Sequence, residues 1–430
     1  MKFSIVNSFL LSLFIFLTGC GSEVQDLSLD TTPITGSPDT GIFVNSVEGL
    51  EYTRTLAPVV QTTNNASAYS YRAGELINFH IGNLQIGEAI GLSIITPKDI
   101  VSYKNLDLNT SIYSSEVNNR VRLLMALDSD GIYSNGIQIS QSRREEAQNW
   151  SSPDYALNEA DFINSVTAAT AGDVTLSVTK EEAEIHFAEA LRCVYSGAYK
   201  GSWIMPSGAK EGFVGVMIQS SGHIVALGDG QDVNNDGDFS DVIYSTGDHN
   251  MDTGSYDFNA TYHFDADQGR IVSSNLTNIE GKGTSLGYNK VSGSFIQDGN
   301  NGAYTASRVG EGSDTSYRYT GFGYLNQSTN SDDTSSDPIL GLFTFDISAD
   351  GNITGLIHDA RTNEEPTLTG TVNFTTGDIN MDLNSGEGHT VSGNIDFVNN
   401  SAKVYLQWYD ANLSKLGYID GVGCQLQPHH

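Results

Sequence analysis

The chain has 430 residues, of which 52 are acidic and 21 are basic, and its net charge is −31 at pH 7. Such a chain repels the phosphates of nucleic acids and anionic lipid headgroups, which argues against a role in binding DNA or RNA. The length predicts about two or three domains.

The N-terminus has the features of an export signal. Lys2 supplies a positive charge, and residues 9–17 (FLLSLFIFL) form an apolar run that is too short to cross a bilayer as a helix. The run ends in LTGC at residues 17–20, where small residues precede a cysteine. Residues 1–19 are therefore predicted to be a signal peptide. An ordinary secretory peptide followed by a chance cysteine is the alternative.

The sequence LTGC resembles the lipobox of bacterial lipoproteins. The resemblance implies that a diacylglycerol is attached to the thiol of Cys20, and that acyl chains such as palmitate anchor the mature chain in a membrane. Gly21 and Ser22 follow without an aspartate, which in enterobacterial lipoproteins implies sorting to the outer membrane. Residues 20–40 are polar and are predicted to form a lipidated flexible tether.

Residues 41–140 predict a small β-rich module, a β-sandwich with a helix. Short stretches alternate apolar and polar residues, with glycines at the bends. Residues 118–127 then have helical spacing and end at DSDG (128–131), interpreted as a turn. Residues 119–139 match N-x-x-R-L-L-x-x-L-D-x-D-G-x-x-x-N-G-I-x-I, and so resemble a segment of bacterial cell-surface and adhesin-like lipoproteins. The resemblance implies that the matching residues have structural roles, and it implies no catalytic activity for them.

Residues 141–192 predict a helical connector. Residues 158–167 and 180–192 carry apolar side chains at helical spacing. The second helix follows Thr179, a residue that caps helix N-termini well. His186 lies inside this helix and is expected to pack against a neighbouring element.

Residues 193–430 predict a large antiparallel β-barrel or sandwich, so the whole chain is expected to be mainly β. A unit of an aliphatic residue, Ser or Thr, Gly, any residue and an apolar residue recurs in this part. It occurs at residues 291–295, 353–357, 368–372 and 391–395. Turn sequences such as DGN, TGD and NSG separate the units, as expected for roughly eight or more antiparallel strands. Closure into a barrel would protect the strand edges.

The chain contains three cysteines. Because Cys20 is assigned to the lipid, Cys193 and Cys424 remain in a compartment that favours disulfides. We expect one disulfide that closes the C-terminal domain on itself. Two free thiols are the alternative.

One loop of the C-terminal domain has the composition of a calcium site. Calcium binds roughly six to eight oxygens, and D-x-N-x-D-G supplies three side-chain ligands around a sharp turn. The loop resembles those of EF-hands and calcium-binding repeats, although Ile243 replaces the bidentate glutamate, so any site would be weaker or completed elsewhere. An acidic β-turn is the alternative. The candidate ligands are Asp229, Asp232, Asn234, Asp236, Asp238 and Asp241.

These features predict a non-enzymatic surface-binding or adhesion protein, anchored by its lipid to either face of the outer membrane and stabilised by calcium. The expected partner is a surface protein or a glycan. The motifs H-E-x-x-H and C-x-x-C do not occur. The alternative is a carbohydrate-active hydrolase that uses two carboxylates from distant strands. A filled barrel would favour binding, and a cleft with two carboxylates would favour hydrolysis.

Overall fold

The computed structural model describes residues 37–44, 46–107, 109–205, 211–231, 241–265, 270–273, 279–286, 288–297, 299–309, 315–325, 339–359, 364–398 and 401–426. Within these residues the chain is mainly β, as predicted, with an N-terminal module followed by two closed antiparallel barrels. None of the helices described is long and apolar enough to cross a membrane.

The N-terminal module combines short strands with helices. Its strands are β1 (Asp39–Phe43), β2 (Val47–Glu48), β3 (Glu51–Arg54), β4 (Ala57–Thr62), β5 (Ala68–Tyr71), β6 (Leu76–Ile81), β7 (Leu84–Ile90), β8 (Ile94–Ile95) and β9 (Ile137–Gln138). Its helices are α1 (Pro97–Asn105), α2 (Ser115–Ala126), α3 (Gln141–Glu146), α4 (Glu159–Ala169) and α5 (Lys180–Tyr195). Small sheets have the orders β4-β3-β6-β7 and β5-β1-β8, and β2 pairs with β9 in parallel.

Aromatic side chains from several strands form the core of this module. The ring of Phe79 on β6 lies 4.9 Å from that of Phe43 and 5.5 Å from that of Tyr69. In β3 and β5 every second residue is buried, including Tyr52 and Tyr69. The alternation in the sequence therefore corresponds to strands with one buried face.

Helix α2 covers residues 118–126 of the helical stretch predicted for residues 118–127, and Leu127 is its C-cap. Polar residues of the helix hold the following segment in place. Asn119 donates hydrogen bonds to the carbonyls of Tyr155 and Leu157, at 3.0 and 2.9 Å. The buried guanidinium of Arg122 donates to the carbonyl of Val178 at 2.9 Å. These contacts give two residues of the surface-lipoprotein motif a structural role.

Helix α5 begins where the sequence predicted it, and α1 was missed. Thr179 and Glu182 form a reciprocal capping box at the start of α5. Strand β8 ends at Ile95, Thr96 is the N-cap of α1, and Pro97 is the first residue of that helix. Proline is favoured at this position because its fixed φ suits the first helical turn and its missing N–H is not needed there.

Barrel 1 is an eight-stranded antiparallel meander with one added strand. Its strands are β10 (Gly197–Ile204), β11 (Glu211–Ile218), β12 (His223–Gln231), β13 (Asp241–His249), β14 (Ser255–Asp265), β15 (Arg270–Ser273), β16 (Ile279–Leu286), β17 (Lys290–Gln297) and β18 (Asn300–Arg308). Pairing of β10 with β18 and of β13 with β14 closes the barrel, and β15 extends it beside β14.

Barrel 2 is a closed meander in which consecutive strands are neighbours. Its strands are β19 (Thr315–Leu325), β20 (Ile339–Ser348), β21 (Asn352–Asp359), β22 (Thr367–Val372), β23 (Asp378–Leu383), β24 (His389–Asn394), β25 (Lys403–Tyr409) and β26 (Lys415–Gln425). The single barrel or sandwich predicted for this half of the chain is thus a pair of barrels, because each set of eight strands closes on itself.

The repeated Ser/Thr-Gly unit coincides with strands β17, β21, β22 and β24, as predicted. Its glycine lies where the backbones of neighbouring strands approach closely. A Cβ atom at Gly355 would lie 2.2 Å from the carbonyl oxygen of Thr344, and one at Gly370 would lie 2.1 Å from that of Asn380. The glycine therefore permits the tight curvature of a small barrel.

Candidate functional site

The predicted lipid-attachment residue, Cys20, lies outside the described residues, which begin at residue 37. Most of the predicted tether at residues 20–40 also lies outside them. Lipidation and the outer-membrane location therefore stay predictions.

Cys193 and Cys424 form a disulfide, with their Cα atoms 5.5 Å apart. The bond links residues separated by 231 positions, from the last turn of α5 to β26. The structure therefore has the predicted crosslink and not two free thiols. It connects the helix that leads into barrel 1 with the final strand of barrel 2.

A buried ion pair lies beside the disulfide. The guanidinium of Arg318 on β19 donates to both carboxylate oxygens of Asp346 on β20, at 2.7 and 2.8 Å. A third bond, of 3.0 Å, runs from Arg318 to the carbonyl of Ser196, between α5 and β10. Both charged side chains are at least nine-tenths buried. Arg318 therefore ties the outer wall of barrel 2 to the start of barrel 1.

Much of the remaining contact between the barrels is apolar, and an ion pair lies at its edge. Met217, Val225, Leu227 and Tyr244 of barrel 1 pack with Leu342 of barrel 2. At the edge, Lys200 of barrel 1 forms an ion pair with Glu365, which follows β21. Burial opposes ionisation of Glu365, but polar contacts with His358 and Lys200 outweigh it and lower the pKa of the carboxyl. The two barrels are therefore in direct contact through apolar side chains and an ion pair.

The predicted calcium loop is described only at its ends. Asp229 lies in β12 and Asp241 in β13, and the ladder pairs Gln231 with Asp241. Asp232, Asn234, Asp236 and Asp238 lie outside the described residues, as do the side-chain positions of Asp229 and Asp241. Elsewhere in the described chain, no group of three or more His, Cys, Asp or Glu side chains is placed to hold a metal ion. Calcium binding stays a prediction.

The sequence DSDG at 128–131 forms a turn, as interpreted from the sequence. Asp128 accepts a hydrogen bond from the amide of Gln138, and Asp130 accepts one from the amide of Ile132, each at 2.8 Å. Gly131 has a φ of 71°, a conformation that glycine adopts without strain. The two carboxylates therefore accept hydrogen bonds from backbone amides in and beside the turn.

A row of tyrosines lies on the outer wall of barrel 2. The rings of Tyr324 and Tyr418 stack with centroids 4.8 Å apart and an interplanar angle of 11°, and Tyr405 follows at 5.1 Å from Tyr418. Tyr418, the middle ring, is buried, whereas Tyr405 is 47% exposed. We refer to Tyr324, Tyr405 and Tyr418 as the tyrosine wall.

Strand alternation puts the tyrosine wall outside the barrel. In β25 the residues Val404, Leu406 and Trp408 face the barrel core, so Tyr405 between them faces out. Polar residues continue the outer surface across the neighbouring strands, since Gln407 pairs with both Tyr418 and Ser392. Tyrosines held on a rigid sheet offer large amphipathic contact area at little conformational cost, and they are enriched in protein interfaces.

The phenol of Tyr324 is neutral at physiological pH. Burial, followed by the nearby negative charge of Asp420, raises the pKa of Tyr324 above its ordinary value. Stacked rings beside amide and hydroxyl groups can pack on an apolar face and hydrogen-bond at its rim. This chemistry suits recognition of a protein or a sugar surface.

Sequence reasoning did not identify the tyrosine wall. It did not single out Tyr405 or Tyr418. The stretch Lys403–Tyr409 (KVYLQWY) could have indicated it. In this stretch Val, Leu and Trp alternate with Lys, Tyr, Gln and Tyr. Such a period of two with aromatic residues on both faces indicates a strand whose outer face is also in use.

Comparisons with known proteins identify no family for this chain. No family model matches, and no curated protein matches. A crystal structure of transferrin binding protein B from Haemophilus parasuis aligns over 54% of this chain and 75% of its own, with 10% identity and a TM-score of 0.18. The isotype 1 transferrin binding protein B of Neisseria meningitidis aligns over 53% and 74%, with 9% identity and a TM-score of 0.18.

A protein of unknown function from Nostoc punctiforme aligns over 55% of this chain and 98% of its own, with 9% identity and a TM-score of 0.17. At these TM-scores the likenesses carry no argument. The function has to be inferred from the residues of this chain.

Proposed function

We propose that this chain is a lipid-anchored protein of the bacterial outer membrane that binds a surface protein or a glycan, without catalysis, through the tyrosine wall of barrel 2. The observation that carries the proposal is the exposure of Tyr405 at one end of a stacked aromatic row on a rigid outer wall. Aromatic side chains in such positions dominate the binding energy of many interfaces.

The filled interior of barrel 2 supports binding over hydrolysis. Apolar side chains from its strands, including Tyr319, Phe343, Phe345 and Ile419, are buried in one core. A filled barrel has to contact a partner with its outer surface or its loops. The anchor is supported by the LTGC sequence at residues 17–20, and a calcium ion at residues 229–241 would stabilise a loop of barrel 1.

Substitution of Tyr405 tests the binding surface. The probes are immobilised glycans and extracellular proteins, exposed to protein that is produced from residue 21 onwards, without the predicted signal peptide and lipid. We expect Tyr405→Ala to weaken the strongest wild-type interaction by about 10-fold or more, since loss of an aromatic anchor costs about 2 kcal/mol or more. Tyr113→Ala is a matched control, because Tyr113 is a tyrosine with similar exposure, 52%, in the N-terminal module. Equal effects of the two substitutions would contradict the proposal.

The anchor is tested separately by fractionation. Cys20→Ser should release the chain from the membrane fraction or leave it as an uncut precursor. A mature-sized Cys20→Ser chain that still sediments with membranes would contradict lipidation. This result would leave the binding proposal standing.

A further inference from the structure

One end of barrel 1 opens into an apolar cavity of about 60 Å³. Its walls carry the inward-facing rings of Trp203, Phe258, Phe295 and Tyr304. Trp203 and Phe295 meet edge to face at 5.9 Å, and Phe295 remains partly exposed although it points into the barrel. The exposure of an inward-facing ring shows that the cavity communicates with the outside.

The cavity lies beside an inward-facing position that has no side chain and is not filled by a neighbour. The strand ladders pair Val214 on β11 with Gly228 on β12, and Gly228 with Ile243 on β13. Paired residues face the same side of a sheet, so these three face inward together. A Cβ atom on Gly228 would have no neighbour nearer than 3.8 Å. The space at Gly228 is therefore an unfilled position on the inner wall of the barrel.

The cavity lining is mostly apolar, and Ser245 and Gln297 are polar residues that also line it. The hydroxyl of Tyr304 donates to the hydroxyl of Tyr256 at 3.0 Å and lies 3.2 Å from the carbonyl of Lys282. These partners satisfy the hydroxyl. A water molecule in a cavity needs about two to four polar partners, and apolar cavities without them stay dry. The geometry therefore favours an apolar occupant.

We propose that this cavity binds the end of an unbranched alkyl chain. Its volume is about that of two water molecules in the liquid, and is well below the roughly 150 Å³ that admits benzene. A ring would not fit, whereas the tip of a chain would fit, with the rest leaving through the open end. The occupant is the hydrocarbon of a neutral amphiphile, either free or held in a bilayer.

The test uses a series of 1-alkanols and protein that is produced from residue 21 onwards, in buffer without detergent. Incorporated 5-fluorotryptophan reports on Trp203 by fluorine NMR, with its signal assigned from its loss in Trp203→Phe. The dissociation constant should fall about fourfold for each added methylene group. It should level off once the chain extends past the open end. Phosphatidylcholine vesicles test the bilayer source by the same signal.

Gly228→Val should fill the space at this position and raise the dissociation constant at least tenfold. Gly323→Val is the matched control, because a Cβ on Gly323 of barrel 2 also has room, with its nearest neighbour 4.0 Å away. The control should bind like the wild type. If Gly228→Val does not fold, Gly228→Ala replaces it, with a several-fold rise expected. A folded Gly228 variant with wild-type affinity, or a Trp203 signal unmoved by both alkanols and vesicles, would overturn the proposal.

Discussion

Arg318 and Cys424 are direct neighbours in the ladder between β19 and β26, and both connect barrel 2 to the end of α5. Cys424 is bonded to Cys193, and Arg318 donates a hydrogen bond to the carbonyl of Ser196. A disulfide bond and a buried guanidinium group thus hold barrel 2 against the C-terminal end of α5 at the same point. The orientation of the tyrosine wall relative to barrel 1 depends on this junction.

Removal of the disulfide should loosen the junction. We expect Cys193→Ser to lower the free energy of unfolding of the barrels by about 2–5 kcal/mol, because the crosslink restricts a very long loop in the unfolded chain. Urea unfolding followed by tryptophan fluorescence measures the change. Cys424→Ser should cause the same loss, and the double variant no more than either, because one bond is removed in all three. Additive losses would contradict a shared bond.

Loss of the buried guanidinium should also be costly. Arg318→Leu leaves the carboxylate of Asp346 buried without its cation, for which about 3–5 kcal/mol of destabilisation is expected. The pair Arg318→Leu with Asp346→Leu should recover part of this loss, because no unpaired charge remains. Arg143→Leu is the control. It removes a more exposed ion pair with Glu146, so a change within about 1 kcal/mol is expected. Equal effects of Arg318→Leu and Arg143→Leu would contradict this account.

The sequence predicted those parts of the fold that depend on local patterns. The Ser/Thr-Gly units coincide with strands because alternation and glycine are local requirements of a curved sheet. The division into two barrels depends on which strands close the sheet, such as β10 with β18, and no local pattern encodes that choice. Helix α1 was missed because Thr96-Pro97 suits both the end of a strand and the start of a helix.

The site was less predictable than the fold. The pairing of Cys193 with Cys424 could be inferred because only two cysteines remained after Cys20 was assigned to the lipid. The unfilled space at Gly228 could not be inferred from the sequence. Most glycines in these strands lie where neighbouring groups approach closely, and only the pairing of Gly228 with Val214 and Ile243 shows that its position is empty. The tyrosine wall likewise requires three strands to be brought into register.

A buried histidine should make stability depend on pH. Burial lowers the pKa of His249 to about 4, against about 6.5 in an unfolded chain. Between these values the unfolded chain binds a proton that the folded chain does not. Stability is therefore complete above about pH 6.5 and is lost as pH falls towards 4, by up to about 3 kcal/mol from this residue. Urea unfolding between pH 4.5 and 7.5 should show a smaller loss for His249→Gln than for wild type. The wild-type slope in His249→Gln would contradict the assignment.

Calcium should stabilise the native state if the loop between β12 and β13 binds it. The pairing of Gln231 with Asp241 brings the two ends of the loop together, and the aspartates between them would repel one another without a cation. With affinity near the roughly 10⁻⁴–10⁻³ M of extracellular calcium modules, millimolar calcium should raise the melting temperature by about 5 °C over EDTA. Asp236→Ala should abolish the shift. Asp382→Ala, which removes an exposed aspartate from β23, should retain it. A wild-type melting temperature that is the same in calcium and EDTA would reduce the loop to an acidic turn.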